Sequence, residues 1–476
     1  MKSTENLTML TDFYELTMAN GYYLHDAGDR IAYFDLFYRK NPEGGGLAIM
    51  AGLQPFIEYL QELSFTAEDL EYLKRKNLFD PSFLEYLRNF RFECDVWAVP
   101  EGTPIFPGEP VVTVRGPVIQ AQFIETMALL LINHQSLIAT KANRIVRAAG
   151  GRGVMEFGAR RAHGASASIL GARAAYIGGC TGTSCTIVEQ RYGIPAMGTM
   201  AHSWVQLFDT EYEAFDRYAQ LYPDNCTLLV DTYDVLRSGI PNAIRVFRER
   251  KPKNMGIRID SGDVTYLTKN ARKMLDQAGF EACKIVISNS LDEDLIRDML
   301  LQGACIDSFG VGERLITAKA EPVFGGVYKL VASEEDGKII PKIKVSENVE
   351  KITNPGFKKV YRLFDKSTGQ AFADVITLAG EAPPSGEEYP IVDPFSAKKY
   401  KKLSNFEARE LMVPVFKKGQ LIYRSPDVKE IRAYCLRNIS EMWEEILRFE
   451  NPHRYYVDLS VPLWELKTRM LEEHEG

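Results

Sequence analysis

The chain has 476 residues, 45% hydrophobic and 25% charged, which suits an ordinary globular protein with room for about two domains. Its net charge of −7 argues against a nucleic-acid binder. Seven cysteines without a C-x-x-C pair fit a reducing compartment better than a secreted one, and Cys180 and Cys185 lack the second pair a zinc site needs.

The N-terminus from Met1 to Asn6 has no apolar leader region, and no apolar run approaches the ~20 residues of a membrane span. We therefore expect a cytoplasmic protein with no membrane partner. Thr11 to Met18 opens a helix, and Ile31 to Tyr38 alternates as a strand before the basic, flexible loop Arg39-Lys40-Asn41-Pro42-Glu43-Gly44-Gly45-Gly46. Residues 53 to 90 read as helices. Residues 94 to 118 are β-like but broken by five prolines (Pro100, Pro104, Pro107, Pro110 and Pro117), which predicts edge character. A long helix is expected from Gln120 to Ala149, ended by glycines.

From about Gly150 to Val331 strands alternate with helices, roughly six or seven repeats, enough for a closed or nearly closed βα barrel. Three apolar runs organise its second half. Gly256 to Ile259 leads into Asp260-Ser261-Gly262-Asp263, Lys284 to Ile287 into Ser288-Asn289-Ser290, and Ala304 to Asp307 into Ser308-Phe309-Gly310-Val311-Gly312. Ligands bind parallel sheets at the carboxyl ends of the strands, where these acidic and small residues sit. Beyond Val331, lysines at 342, 344, 351, 358 and 359 read as a solvated face. Short strands and two amphipathic helices, Asp427 to Phe449 and Pro462 to Glu473, complete the chain.

Several strand ends carry candidate chemistry. Arg160 and Arg161 follow Glu156-Phe157-Gly158-Ala159, where paired guanidinium groups could hold a carboxylate or phosphate, or simply bridge to a helix. Gly178 to Ser184 is a glycine-rich turn before a helix, an anion cradle or a plain loop capped by Ser184. His202 stands at a strand end among small residues as a base, phosphate contact, nucleophile or structural histidine. Asp231, Asp234, Asp260 and Asp263 offer oxygen ligands suited to magnesium. Helix capping explains Asp234 and Asp263 well, but not Arg258 and Asp260, which alternate onto one strand face.

In order, these motifs resemble the bacterial-type nicotinate phosphoribosyltransferases. The resemblance rests on Thr11-Asp12-Phe13-Tyr14, Phe37-Tyr38-Arg39-Lys40-Asn41-Pro42, Glu156 to Arg161, Gly198-Thr199-Met200-Ala201-His202-Ser203, Arg258 to Asp263 and Ser308 to Gly312. It implies a type II phosphoribosyltransferase architecture: an irregular TIM-like barrel (150–331), with a second α/β domain built from residues 1–149 and completed by 332–476, which also carry a helical tail. It implies transfer of phosphoribosyl from phosphoribosyl pyrophosphate to nicotinate, giving nicotinate mononucleotide and pyrophosphate in NAD salvage, with ATP and Mg2+ assisting. A homodimer with shared active sites is implied as well.

By the same resemblance, ATP phosphorylates His202, while Asp260 binds the ribose hydroxyls or magnesium and Asp231 orients that cluster. Tyr14, reaching from a partner subunit, and Phe157 sandwich the pyridine ring. Arg160, Thr199 and Arg258 contact substrate, Gly310 and Gly312 hold the 5′-phosphate, and Arg39 is a partner's phosphate contact. Ser184 stands where the nicotinamide-using relatives carry aspartate, and a hydroxyl can donate to a carboxylate that an aspartate would repel. Glu313 departs from the family's usual threonine and puts an anion beside the phosphate loop. Two alternatives remain open, a nicotinamide phosphoribosyltransferase and a catalytically silent binding protein.

Overall fold

In a computed structural model of the chain, residues 6–384, 387–394 and 396–475 are described. Met1 to Glu5, the stretch read as lacking a leader segment, lie outside them. The chain divides into two compact units, residues 138–322 and residues 1–137 with 323–476.

The unit 138–322 is built on one six-stranded sheet, in the order Gly182–Thr183, Gly153–Glu156, Ser308–Val311, Lys284–Asn289, Met255–Ile259 and Cys226–Leu229. Every pairing in it is parallel. The apolar residues of these strands are buried, as in Ile257, Ile259, Ile285, Ile287 and Phe309. Helices connect the strands, as parallel pairing requires. Asp263 caps Val264–Gln277 through the Tyr266 N–H at 3.0 Å, and Asp292 caps Glu293–Leu301 through Leu295 at 2.9 Å. Asp234 likewise accepts from the N–H groups of Leu236 and Arg237, at 3.0 and 2.8 Å. Asp234 and Asp263 are thus helix caps. The expected six or seven repeats resolve as six strands in one row, with Gly182–Thr183 and Cys226–Leu229 at its ends. Near Ala196 the sheet gains only a single parallel bridge to Thr183.

The other unit is dominated by antiparallel pairing. Its seven-stranded sheet runs Lys338–Pro341, Val327–Glu335, Ile31–Phe37, Val112–Pro117, Asp95–Ala98, Val413–Lys417 and Gln420–Leu421. The edge character expected of residues 94–118 holds only for Pro104–Ile105, which pairs with Ala48–Ile49 in a two-stranded ladder, whereas Asp95–Ala98 and Val112–Pro117 are both interior. The prolines fall between or at the ends of these strands, where no ladder donor is lost. A second, six-stranded sheet joins segments between 358 and 460 around Leu363, Val375, Ile391 and Phe406. Lys358 is buried and paired with Asp35 at 2.9 Å, so the expected solvated lysine face does not include it. The expected helix Gln120–Ala149 is observed as Val118–Phe123 and Glu125–Ala148.

Candidate active site

The ends of the parallel strands bring together residues far apart in sequence. Arg258 pairs in register with Val286 of the neighbouring strand, and Ile259 with Ile287. The two-residue side-chain period then places Arg258, Asp260 and Ser288 on a common face. The Arg258 guanidinium donates from Nη2 to Asp260 Oδ1 at 3.0 Å, from Nε to Ser288 Oγ at 2.7 Å and from Nη1 to Thr199 Oγ1 at 3.1 Å. Its carbon also lies 5.6 Å from the centre of the Phe157 ring. Four of the predicted residues (Phe157, Thr199, Arg258 and Asp260) therefore share one constellation.

Asp231 extends it. Its Oδ2 accepts from the Asp260 N–H at 2.9 Å and from the Ser261 hydroxyl at 2.7 Å. Its Oδ1 is buried without a hydrogen-bond partner and faces His202 Nε2 at 4.0 Å. The other imidazole nitrogen, Nδ1, lies 3.2 Å from Thr232 Oγ1. Burial pushes the Asp260 carboxyl up. The Ser288 hydrogen bond, the Arg258 charge and hydrogen bond, and the His202 charge outweigh burial and hold it below the usual carboxylate range.

The nicotinate-facing candidates depend on Glu156, a buried carboxylate that the sequence reading left without a role. It accepts from the Gly158 N–H and, at 2.7 Å, from the Thr183 hydroxyl, while its carbonyl accepts from the Ser184 N–H at 2.8 Å. Burial raises its carboxyl above the ordinary value against both side-chain bonds. These contacts fix the backbone on either side of Phe157 and below Ser184, whose side chain is exposed. Arg160 lies in the short turn Ala159–Arg161 with its side chain in solvent.

Gly310 has a packing reason for being glycine, since a Cβ there would come 2.5 Å from Phe157 Cδ2. A Cβ on Gly312 would lie 3.1 Å from the Phe157 carbonyl oxygen. The anion at Glu313 is neutralised locally, because Lys319 donates to its carboxylate at 2.8 Å and holds it below its ordinary range.

Tyr14 and Arg39 belong to the other unit. Tyr14 is 43% exposed, and burial of its hydroxyl followed by the Glu125 charge pushes its pKa up. The Arg39 guanidinium lies 5.9 Å from the Phe37 ring centre, and its Nε is buried without a partner. Sequence reasoning missed Ser288, Thr183 and Thr232. Each is a small hydroxyl whose partner sits on another segment, so no local spacing marks it.

A parallel α/β sheet with arginine, aspartate and histidine converging at its strand ends has the layout of an enzyme that handles anionic substrates there. Three family models match the chain: the nicotinate phosphoribosyltransferase N-terminal domain over residues 9–133, the nicotinate phosphoribosyltransferase family over 153–348, and its C-terminal domain over 357–467. The chain is 44% identical over 471 residues to a nicotinate phosphoribosyltransferase of Bacillus subtilis, covering 98% of this chain and 96% of that one. It is 39% identical to one from Mycobacterium tuberculosis, covering 93% and 89%. The crystal structure of human nicotinic acid phosphoribosyltransferase superposes with a TM-score of 0.85 at 29% identity, covering 97% of this chain and 99% of that one. A nicotinate-nucleotide pyrophosphorylase structure from Pyrococcus furiosus shares the fold, with a TM-score of 0.69 at 24% identity. The chain belongs to the nicotinate phosphoribosyltransferase family.

Proposed function

We infer that this chain transfers the phosphoribosyl group of phosphoribosyl pyrophosphate to nicotinate, forming nicotinate mononucleotide and pyrophosphate for NAD salvage. The observation that carries this reading is full-length similarity to nicotinate phosphoribosyltransferases, together with the Arg258–Asp260–Asp231–His202 constellation at one set of strand ends. In the reaction, the C1′–O bond breaks with its electron pair passing to pyrophosphate. The nicotinate ring nitrogen forms the new C1′–N bond. Positive charge develops on the ribose and negative charge on the leaving group, so fixed donors and carboxylates at this mouth lower the barrier.

In this reading Phe157 supplies a flat face for the pyridine ring, with Thr199 and Arg258 behind it. Arg160 and the Ser184 hydroxyl meet the carboxylate. Gly310 and Gly312 allow backbone approach to the 5′-phosphate, and Asp260 engages the ribose hydroxyls. Asp231 Oδ1 and the Asp260 carboxylate suit Mg2+, which binds through one or two carboxylates plus substrate phosphates. When bound, it would neutralise pyrophosphate charge. ATP is the proposed co-substrate, its γ-phosphoryl passing to the His202 imidazole as ADP leaves, with Thr232 beside Nδ1 and Asp231 beside Nε2 to orient the ring.

A homodimer in which a partner contributes Tyr14 and Arg39 is part of the same proposal. It is supported by the exposed apolar side chains Leu10, Phe13 and Tyr14 at one helix start. The six-stranded parallel row supports the reading of residues 150–331 as an irregular TIM-like barrel. A cytoplasmic setting is supported by seven free thiols. Among the described residues no helix is long and apolar enough to cross a membrane. The test is pyrophosphate release from phosphoribosyl pyrophosphate, which should require nicotinate, outpace nicotinamide and be lost in Arg258→Ala. Equal release with either pyridine, or none with correctly folded protein, would overturn the reading.

A further inference from the structure

Arginine presents Nε and Nη2 side by side, and these two donors fit both oxygens of one carboxylate. The chain uses that fork repeatedly. Arg362 donates from Nε and Nη2 to the two oxygens of Asp374 at 2.9 and 2.6 Å. Arg115 does the same with Glu334 at 2.8 and 3.1 Å, and Arg250 with Asp216 at 2.5 and 2.8 Å. Arg258 does not. Only its Nη2 reaches Asp260, because Ser288 Oγ, 2.7 Å away, occupies Nε.

The Ser288 hydroxyl hydrogen is in turn donated to Asp260 Oδ1, the same oxygen that Nη2 holds. Both bonds therefore fall on one oxygen, and among the described residues nothing donates to Asp260 Oδ2. Ser288 is buried, so water has little access to replace its hydroxyl. A serine without its oxygen would leave Nε unpaired beside a carboxylate that needs only to rotate to close the fork.

We propose that Ser288 is a positioning residue that keeps the Arg258–Asp260 pair open, reserving Asp260 Oδ2 for the ribose hydroxyls of phosphoribosyl pyrophosphate. This rests on the function proposed above. Ser288→Ala allows the fork to close, so Asp260 must break a bond to arginine before it can engage substrate. The cost falls on phosphoribosyl pyrophosphate, while nicotinate, held at Phe157 and Ser184, is affected much less.

The test compares wild type, Ser288→Ala and Ser288→Thr by calorimetric titration with phosphoribosyl pyrophosphate and by steady-state kinetics. Ser288→Ala should weaken phosphoribosyl pyrophosphate binding and raise its KM by about tenfold, the scale for losing a supporting contact at a polar site. The KM for nicotinate should stay within about twofold, and Ser288→Thr should restore both values because it keeps the hydroxyl. Unchanged binding in Ser288→Ala would overturn the proposal. So would equal losses for both substrates, or a threonine variant as impaired as the alanine one. Wild-type turnover in the same assay reports separately on the function itself, so the two failures are distinguishable.

Discussion

Two arginine–aspartate pairs in this chain show opposite uses of the same chemistry. Arg362 and Asp374 join adjacent antiparallel strands with side chains 1% and 0% exposed, and Tyr455 adds a hydroxyl donor to Asp374 at 2.9 Å. Glu109 sits in the same cluster, its carboxyl held well above the ordinary range by burial and then by the Asp374 charge. Arg258 and Asp260 stand at the end of a parallel strand with side chains 14% and 33% exposed, bonded through one oxygen only. The first pair is sealed, with Nε and Nη2 spent on both oxygens of Asp374 and Nη1 buried without a partner. The second keeps an acceptor in reserve at the price of looser bonding. An ion pair is thus better judged by what it leaves unsatisfied than by its length.

That contrast breaks most visibly under alanine. Asp374→Ala should destabilise the protein by about 3–5 kcal/mol, because Arg362 is left buried without its counter-charge. Urea unfolding measures this. Asp260→Ala, at a side chain still 33% exposed, should cost only about 1 kcal/mol of stability, yet lower turnover by about 10²–10³, as losing a transition-state contact does. Comparable destabilisation by the two variants would erase the distinction.

Glu293 gives a pH version of the sealed case. Its carboxyl is buried, which alone would raise its pKa, but Lys141 at 2.9 Å and Arg144 at 2.7 Å hold it down to about 2 from 4.5. A depressed carboxyl contributes stability that is present above the unfolded value near 4.5 and lost as pH falls toward about 2. Melting temperature should therefore fall across that window, and Glu293→Gln should flatten the slope there. Of the open groups, His202→Ala should abolish stimulation by ATP while sparing basal synthesis, read as nicotinate mononucleotide formed with and without ATP. Ser184→Asp should cost about 10–100-fold in kcat/KM for nicotinate relative to nicotinamide, since like charges in contact are penalised by several kcal/mol.

Much of this was legible in the chain because its chemistry is grouped by segment. Arg258 and Asp260 are two residues apart on one strand, and Glu156 to Arg161 is continuous, so spacing alone assigned them a face or an end. Ser288 was not legible. Its significance lies in the strand register that sets Ile287 beside Ile259, a property of two segments 28 residues apart. The interior position of Asp95–Ala98 was hidden for the same reason, since its neighbour Val413–Lys417 comes from the far end of the chain. Lys358 read as a surface lysine because its partner Asp35 is remote in sequence. Local patterns carry helices, turns and strand-end motifs, whereas pairings between distant segments need coordinates.

The smallest expected effect concerns the anion beside the proposed phosphate loop. Glu313 is tied to Lys319 at 2.8 Å, with side chains 36% and 58% exposed, so the pair itself adds little to stability. Its consequence is electrostatic. With Lys319 removed, the Glu313 charge is no longer cancelled next to Gly312, and a phosphate held there is repelled. Lys319→Ala should weaken phosphoribosyl pyrophosphate binding by about two- to threefold at low ionic strength, a difference that salt should diminish by screening. Adding Glu313→Gln to that variant should recover the loss, because the charge that needed cancelling is gone. If the double variant binds no better than Lys319→Ala alone, Lys319 acts on the phosphate directly rather than through Glu313.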